Sequence, residues 1–269
     1  MACKNPTEAP PSLDRAILSL PAGISTGRIV PSADLAPVVE HFWWVRWDTA
    51  EELVSEVLPY PSVHIVFEKQ DATVTGLVSR KFMRTVQGQG EVFGIKFRPA
   101  MFRHFDSAPA HTLTDKTVPL DLSVWDRACI GMLLASASVA EKAAYAEAAL
   151  RGIAQTVDPQ PGFLRDLVEH VRAAPDMRSV SDLMRVSGLS ERSLQRLFRE
   201  YLGVPPKWVI QRFRLQEAAE CLAKGGATLA AVAAELGYCD QAHFARDFRR
   251  VVGLAPRDFL ARRQASGGR

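Results

Sequence analysis

The segment Ser179–Phe259 repeats itself. Thr228–Gly237 echoes Ser179–Gly188. Downstream, Leu194, Phe198, Tyr201, Leu202, Gly203, Pro206 and Lys207 recur as Phe244, Phe248, Val251, Val252, Gly253, Pro256 and Arg257, at a constant offset of 50 residues. Each copy reads as a short helix, a glycine turn and a basic amphipathic helix, the pattern of a helix-turn-helix. Two such units on one chain predict two small helical cores joined by a connecting segment, and a protein that grips DNA in two successive grooves.

In the first copy, Ser190 is placed to cap a helix over Arg192–Leu202. Leu194, Leu197, Phe198, Tyr201 and Leu202 fall on one stripe, which is the buried side. Arg192, Gln195, Arg196 and Arg199 fall on another. Arginine suits guanine O6 and N7, and glutamine suits adenine N6 and N7, each through two hydrogen bonds. In the second copy Asp240 caps a helix over Gln241–Val252, buried through Phe244, Phe248, Val251 and Val252. The readers are exchanged: Ala242 and Ala245 replace two long polar side chains, and Arg246 and Arg249 remain. The first helix is therefore expected to supply more direct base readout. The second is left with Gln241, His243 and Arg246 as base-contact candidates. Arg199, Lys207, Arg249 and Arg250 are candidates for phosphate contacts. Pro205–Ala223 reads as one connecting helix, roughly 27 Å long at 1.5 Å per residue. That is near the roughly 34 Å between major-groove entries on one DNA face, and it favours slightly bent DNA.

Charge is divided in the same way. Residues 1–159 hold 15 Lys and Arg against 18 Asp and Glu; residues 160–269 hold 18 against 12. The excess positive charge sits on the part expected to meet a polyanion. The four cysteines form no CxxC pair, and no histidine lies at zinc-finger spacing, so reduced thiols in a cytoplasmic protein are expected. Met1–Ser12 has no apolar run of the secretory type, and the longest near-apolar run, Ile130–Ala140, is too short to span a bilayer.

The motifs of the C-terminal part resemble those of the AraC/XylS-type transcription regulators. The resemblance is carried by Leu189–Arg199, by Gly237–Arg250, by Arg214–Ala219 in the connecting helix and by the closing stretch Gly253–Phe259. It implies a seven-helix domain, bacterial origin and action on promoter DNA. It also implies RNA polymerase as a protein partner and activation as the commoner sign of regulation. The family's base-reading positions fall on Arg192, Gln195, Arg196, Gln241, His243 and Arg246. Two departures stand out: Met184 where the family usually has a small residue (Ala233 keeps it in the second copy), and Leu260 where an arginine is common.

The N-terminal part reads as β-rich. Phe42–Trp47 is dense in β-formers, Val57–Phe67 is interrupted by two prolines, and Gly76–Val78, Phe82–Val86 and Val92–Phe97 read as short strands. A small sandwich or barrel is expected, followed by one helix through Val124, Ala128, Met132 and Leu133 and a second over Val139–Ile153. The fold class is α+β: a tail over 1–12, a β-rich sensor or oligomerisation domain with trailing helices over 13–157, a linker over 158–162, the double helix-turn-helix over 163–264, and a tail over 265–269. His41–Trp47, Val57–Phe67 and Phe93–Pro99 resemble a sensor-type domain found ahead of such modules.

Trp43, Trp44 and Trp47 are candidates for the wall of an effector pocket, or plain core. Lys96 and Arg98 could meet an anionic effector, although a solvated strand face is the commoner outcome for such a pair. His41, His64, His104 and His111 lack the spacing of a metal site, so no metal, cofactor or catalytic residue is expected. The two alanine-bearing helices serve either as a homodimer interface or as a cover for the sheet. The leading expectation is a sequence-specific regulator of transcription modulated by a small molecule. The alternatives are a constitutive DNA-binding protein whose first half only oligomerises, and an enzyme fused to a DNA module. The last needs an activated cysteine, and neither Cys3 nor Cys129 suits it.

Overall fold

The computed structural model describes residues 17–19, 21–58, 60–121, 125–152, 158–174, 176–224 and 228–266. The expected tail over 1–12 lies outside them. Among these residues seven strands come first: β1 (Ile17–Ser19), β2 (Ile24–Ile29), β3 (Val39–Val57), β4 (His64–Glu68), β5 (Asp71–Thr75), β6 (Phe82–Phe97) and β7 (Thr117–Pro119). They form one antiparallel sheet in the order β1-β3-β6-β4-β5-β7, with β2 also paired to β3.

The spine of the sheet is the β3–β6 pair, which runs from Val39 opposite Phe97 to Val57 opposite Phe82 with register shifts between Val39 and His41 and between Thr49 and Leu53. Phe82–Val86 and Val92–Phe97, expected as separate strands, are the two ends of β6. Glycine weakens a strand because it has no side chain to pack, but here tryptophan supplies the cover. Trp47 lies directly across from Gly90, and Trp43 across from Gly94. The approach is so close that a Cβ on Gly94 would stand 2.2 Å from the Trp43 ring. Gly76–Val78 is not a strand. The chain leaves the sheet after Thr75, and the Gly76 amide donates instead to the Lys116 carbonyl.

Alternation along the strands sorts the side chains into two faces. One face carries Phe42, Ile65, Phe67, Phe93, Ile95 and Phe97, all at most 1% exposed, and packs against the helices α1 (Arg127–Ala135) and α2 (Val139–Arg151). The stripe expected on α1 is corrected: Ala128 and Met132 are exposed, and Ile130 joins Leu133 in the core. The Ile130–Leu133 pair buries more apolar area than Ala128 could, and that sets the helix rotation. Val124 lies outside the described residues. The opposite face carries Trp43, Val45 and Trp47 on β3, with Ile24, Val66, Val86 and Val92 beside them, and curls around a cavity.

Among the described residues seven helices follow: α3 (Gln160–Ala173), α4 (Val180–Ser187), α5 (Glu191–Tyr201), α6 (Pro206–Lys224), α7 (Leu229–Glu235), α8 (Gln241–Val252) and α9 (Pro256–Ser266). The expected linker over 158–162 is therefore too long. Pro161 and Gly162 belong to the first turn of α3, where a missing amide costs nothing, and Asp158 accepts from the Gln160 amide. The expected tail over 265–269 is shortened in the same way, because α9 runs to Ser266.

The duplication gives two matching cores. Leu183, Leu194, Leu197 and Phe198 pack with α3 and with Val209, Ile210 and Phe213 of α6. Val232, Ala233, Phe244, Phe248, Val251 and Val252 pack with Leu215, Ala218, Ala219 and Leu222 of the same helix. Neither core is closed by helices alone: Leu77 and Ala100 of the N-terminal half enter the first, and Leu58 enters the second. Met184 is half-buried against the first core, and Leu260 against the second.

Candidate functional site

Each helix-turn-helix is set by short-range chemistry. In the first unit, Ser179 and Asp182 form a capping box on α4, Gly188 closes that helix in the left-handed region, and the Ser190 hydroxyl accepts from the Ser193 amide to start α5. In the second, Thr228 caps α7 and Asp240 caps α8, its carboxylate accepting from the His243 amide at 2.7 Å. The buried stripes fall where the spacing predicts them: Leu194, Phe198, Phe244 and Phe248 are at most 1% exposed.

The opposite faces point outward. Arg192, Gln195, Arg196 and Arg199 on α5, and Gln241, His243, Arg246, Arg249 and Arg250 on α8, are all exposed, as is Lys207 at the start of α6. Gln195 donates to Glu191 one turn back at 3.0 Å. Arg192, Arg196, Arg199, Arg246 and Arg249 have no carboxylate partner among the described residues. His243 and Arg250 are held differently. His243 Nε2 lies 3.5 Å from the buried Asp247 carboxylate, and Arg250 Nη2 lies 3.1 Å from Asp247 and donates to Gln211 of α6 at 3.1 Å. Asp247 also accepts from Gln211 and from the Tyr238 hydroxyl, each at 3.2 Å. Burial, followed by the charge of Asp247, pushes the Tyr238 phenol up. This network fixes α8 to the connecting helix α6. Its sequence signal is the i,i+3 and i,i+4 spacing of Arg250 and His243 around Asp247.

The connecting helix holds two arginines that composition alone would place in solvent. Arg212 is 1% exposed and Arg214 is 4% exposed. Arg214 donates to the Val171 carbonyl of α3 at 2.5 Å and pairs with Glu217 at 2.6 Å. Arg212 donates to Gln216 and lies over the rings of Tyr60 and Phe213. Burial brings its pKa down to about 10.

The cavity of the sheet measures about 520 Å3, the size of a site for a drug-like molecule. Of the three tryptophans expected there, Trp43 and Trp47 line it and Trp44 does not. Alternation puts Trp44 on the other face, against the α1–α2 core, with Arg46 over its ring. The Trp43 indole N–H donates to His64 Nδ1 at 3.1 Å, so the neutral ring carries its proton on Nε2, 3.1 Å from the Ser62 hydroxyl. Burial first, and then the charge of Lys96, bring His64 down to about 3 and His41 to about 2. Both are neutral near pH 7. Lys96 is only 8% exposed, which corrects the solvated-strand expectation: the curl of the sheet closes over the face that Lys96 shares with Gly94. It donates to Glu40 at 3.0 Å. Arg98 donates to the Ala36 carbonyl and does not line the cavity. Among the described residues no group of three or more His, Cys, Asp or Glu could hold a metal ion, and no helix is long and apolar enough to cross a membrane.

Two family models match parts of this chain. A family model described as a helix-turn-helix domain matches residues 183–262, and one described as a domain of unknown function (DUF6597) matches residues 27–119. The F1 operon positive regulatory protein of Yersinia pestis is 35% identical over 81 residues, covering 30% of this chain and 27% of that protein. The transcriptional activator RhaS of Escherichia fergusonii is 30% identical over 100 residues, covering 37% and 35%. A transcriptional regulator of Chromobacterium violaceum with an AraC-type DNA-binding domain, whose crystal structure is known, is 27% identical, covers 39% of this chain and 92% of its own, and superposes with a TM-score of 0.35. The chain thus spans about a quarter to a third of the length of the curated relatives it matches. With the duplicated unit, its caps and its exposed arginine faces in place, the helical part of this chain is an AraC/XylS-type helix-turn-helix domain.

Proposed function

We propose that the chain is a sequence-specific, DNA-binding regulator of transcription that reads two adjacent major-groove segments and is modulated by a small molecule held in the N-terminal sheet. The observation that carries the reading is the pair of outward arginine faces at repeat-related positions on α5 and α8, both anchored to α6. At 19 residues, α6 is roughly 28 Å long, close to one groove repeat. Activation is the sign favoured by likeness to RhaS, which is named as an activator. Selection of oligonucleotides from a randomised pool by the full chain tests the reading; no enrichment at moderate salt removes it.

Two substitutions separate base contacts from phosphate contacts. Arg196→Ala is expected to cost about 1–3 kcal/mol of discrimination at one base position. It is measured as the ratio of affinities for the selected site and its single-base variants; an equal loss on selected and random DNA contradicts direct readout. Arg249→Ala is expected to weaken all sequences alike and to lower the slope of log affinity against log salt by about one. An unchanged slope removes the phosphate assignment. Homodimerisation through α1 and α2, where Ala140, Ala144 and Ala148 are exposed one turn apart, and contact with RNA polymerase belong to the same reading. A monomer in sedimentation equilibrium at working concentrations refutes the dimer.

A further inference from the structure

We propose that the cavity of the N-terminal sheet binds an organic monoanion with a flat apolar body, that Lys96 meets its charge, and that Tyr60 passes its occupancy to the connecting helix through Arg212. The proposal rests on the sensor reading above and gives it a ligand class and a route.

The charge of the cavity selects the ligand. Its ionised lining groups are Arg28, Arg84, Lys96 and Glu68. Glu68 is already held by Arg84 at 2.6 Å. The two lining histidines are neutral, held so by burial and by Lys96. The balance inside is positive, and the carboxylate that partners Lys96, Glu40, is not part of the wall. Burial pulls Lys96 down from the ordinary lysine range and Glu40 opposes that pull. An ammonium this deep is seldom met unpaired; Glu40 is its partner at 3.0 Å, and an anion entering the cavity competes for the same charge in a medium of low dielectric. Trp43 and Trp47, with Ile24, Val45, Val66 and Val92, make an apolar part of the wall, and the hydroxyls of Thr26, Ser55, Ser62, Thr73, Thr75 and Thr117 line another part. Indole faces favour a flat ring system.

The route out follows from what touches Lys96. Its ammonium stands 3.7 Å from the centroid of the Tyr60 ring. The guanidinium of Arg212 lies over the same ring at 5.2 Å, and Phe213 meets it edge-on at 5.9 Å. One aromatic ring thus joins a cavity-lining cation to a buried cation on α6. A ligand carboxylate that draws Lys96 away changes the charge against Tyr60 and so the packing of Arg212. Leu58, two residues from Tyr60, lines the cavity and also sits in the second helix-turn-helix core. Both contacts act on the helix that sets the relation of α5 to α8.

The test uses the full chain without DNA and two matched probes, 1-naphthaleneacetate and 2-(1-naphthyl)ethanol, by titration calorimetry at pH 7. The carboxylate is expected to bind about tenfold or more tightly than the alcohol. Glu40→Gln, which frees Lys96, is expected to strengthen the carboxylate and leave the alcohol unchanged. Adding Lys96→Met to that variant, so that no buried charge is left unpaired, is expected to erase the difference. Equal affinity of the two probes, no binding of either, or a preference that survives the double variant overturns the ligand class. Hydrogen exchange of the amides over 206–224 reads the route. The carboxylate is expected to change their protection in the parent and in Tyr60→Phe, but not in Tyr60→Leu, which still binds it. Should Tyr60→Leu unfold, Arg212→Met removes the other side of the contact and is read in the same way. A response that persists without the contact overturns the route. Because no arm contains DNA, failure here is distinct from failure to select an oligonucleotide.

Discussion

Phe198→Ala is expected to cost about 3–5 kcal/mol of unfolding free energy, enough to consume much of the stability of an ordinary domain. Phe198 is fully buried among α3, α4, α5 and α6, on the side of α5 opposite its exposed arginines. Truncation removes the ring and leaves a cavity that the surrounding helices cannot close without shifting α5. The repeat supplies the control: Phe248→Ala, at the matching position of α8 and equally buried, is expected to fall in the same range. Urea titration followed by far-ultraviolet circular dichroism and by tryptophan fluorescence measures both. Leu77 and Ala100 sit in the Phe198 core and Leu58 in the Phe248 core, so sheet and helices are expected to unfold together. Two separated transitions of which only one moves, or a loss below about 1 kcal/mol, contradict the packing account.

The features legible in the sequence are the local ones. Ser190 and Asp240 cap where they were expected to, because a cap depends on residues three positions away. The stripes of α5 and α8 are legible because helical periodicity alone decides which side chains face inward. The expected pocket wall groups Trp44 with Trp43 and Trp47, although strict alternation separates it from them. What stayed hidden depends on partners far along the chain. Arg212 is buried because Tyr60, from the segment between β3 and β4, comes to lie against α6. Lys96 is buried because the sheet curls over its own face, and no stretch of five residues encodes that curl. The long β6 reads as two fragments because Gly88 and Gly90 fall between Val86 and Val92, and Gly90 looks like a break until Trp47 is placed across from it.

Gly203→Ala is expected to destabilise the protein by about 2–5 kcal/mol, and Gly253→Ala, at the same position of the second repeat, by about 1–2 kcal/mol. The two glycines follow α5 and α8 with φ of 81°, so the left-handed penalty for a side chain is common to the two. Their surroundings are not. A Cβ on Gly203 would stand 2.3 Å from Thr114 Oγ1 and 2.9 Å from the Ala110 carbonyl oxygen. Thr114 donates to the Gly203 carbonyl at 2.9 Å, so the collision falls on the contact that seats the end of α5 against the sheet domain. A Cβ on Gly253 would instead meet the Cε and Cδ of Lys81 at 2.6 and 2.7 Å, the far end of a side chain held by Glu56 at 2.6 Å, so relief there means shifting an ion pair and not a backbone carbonyl. The difference between the two variants, read from urea midpoints at constant m-value, isolates the domain contact from backbone strain. Thr114→Ala in the Gly203→Ala background removes one of the colliding atoms and is expected to recover part of that difference. Equal losses at the two glycines mean that the seat of α5 on the sheet domain contributes nothing to stability. Unequal losses, partly recovered by the second substitution, place α5 under the control of the loop that borders the cavity at Gly76, whose own Cβ would stand 2.0 Å from the Leu113 carbonyl oxygen.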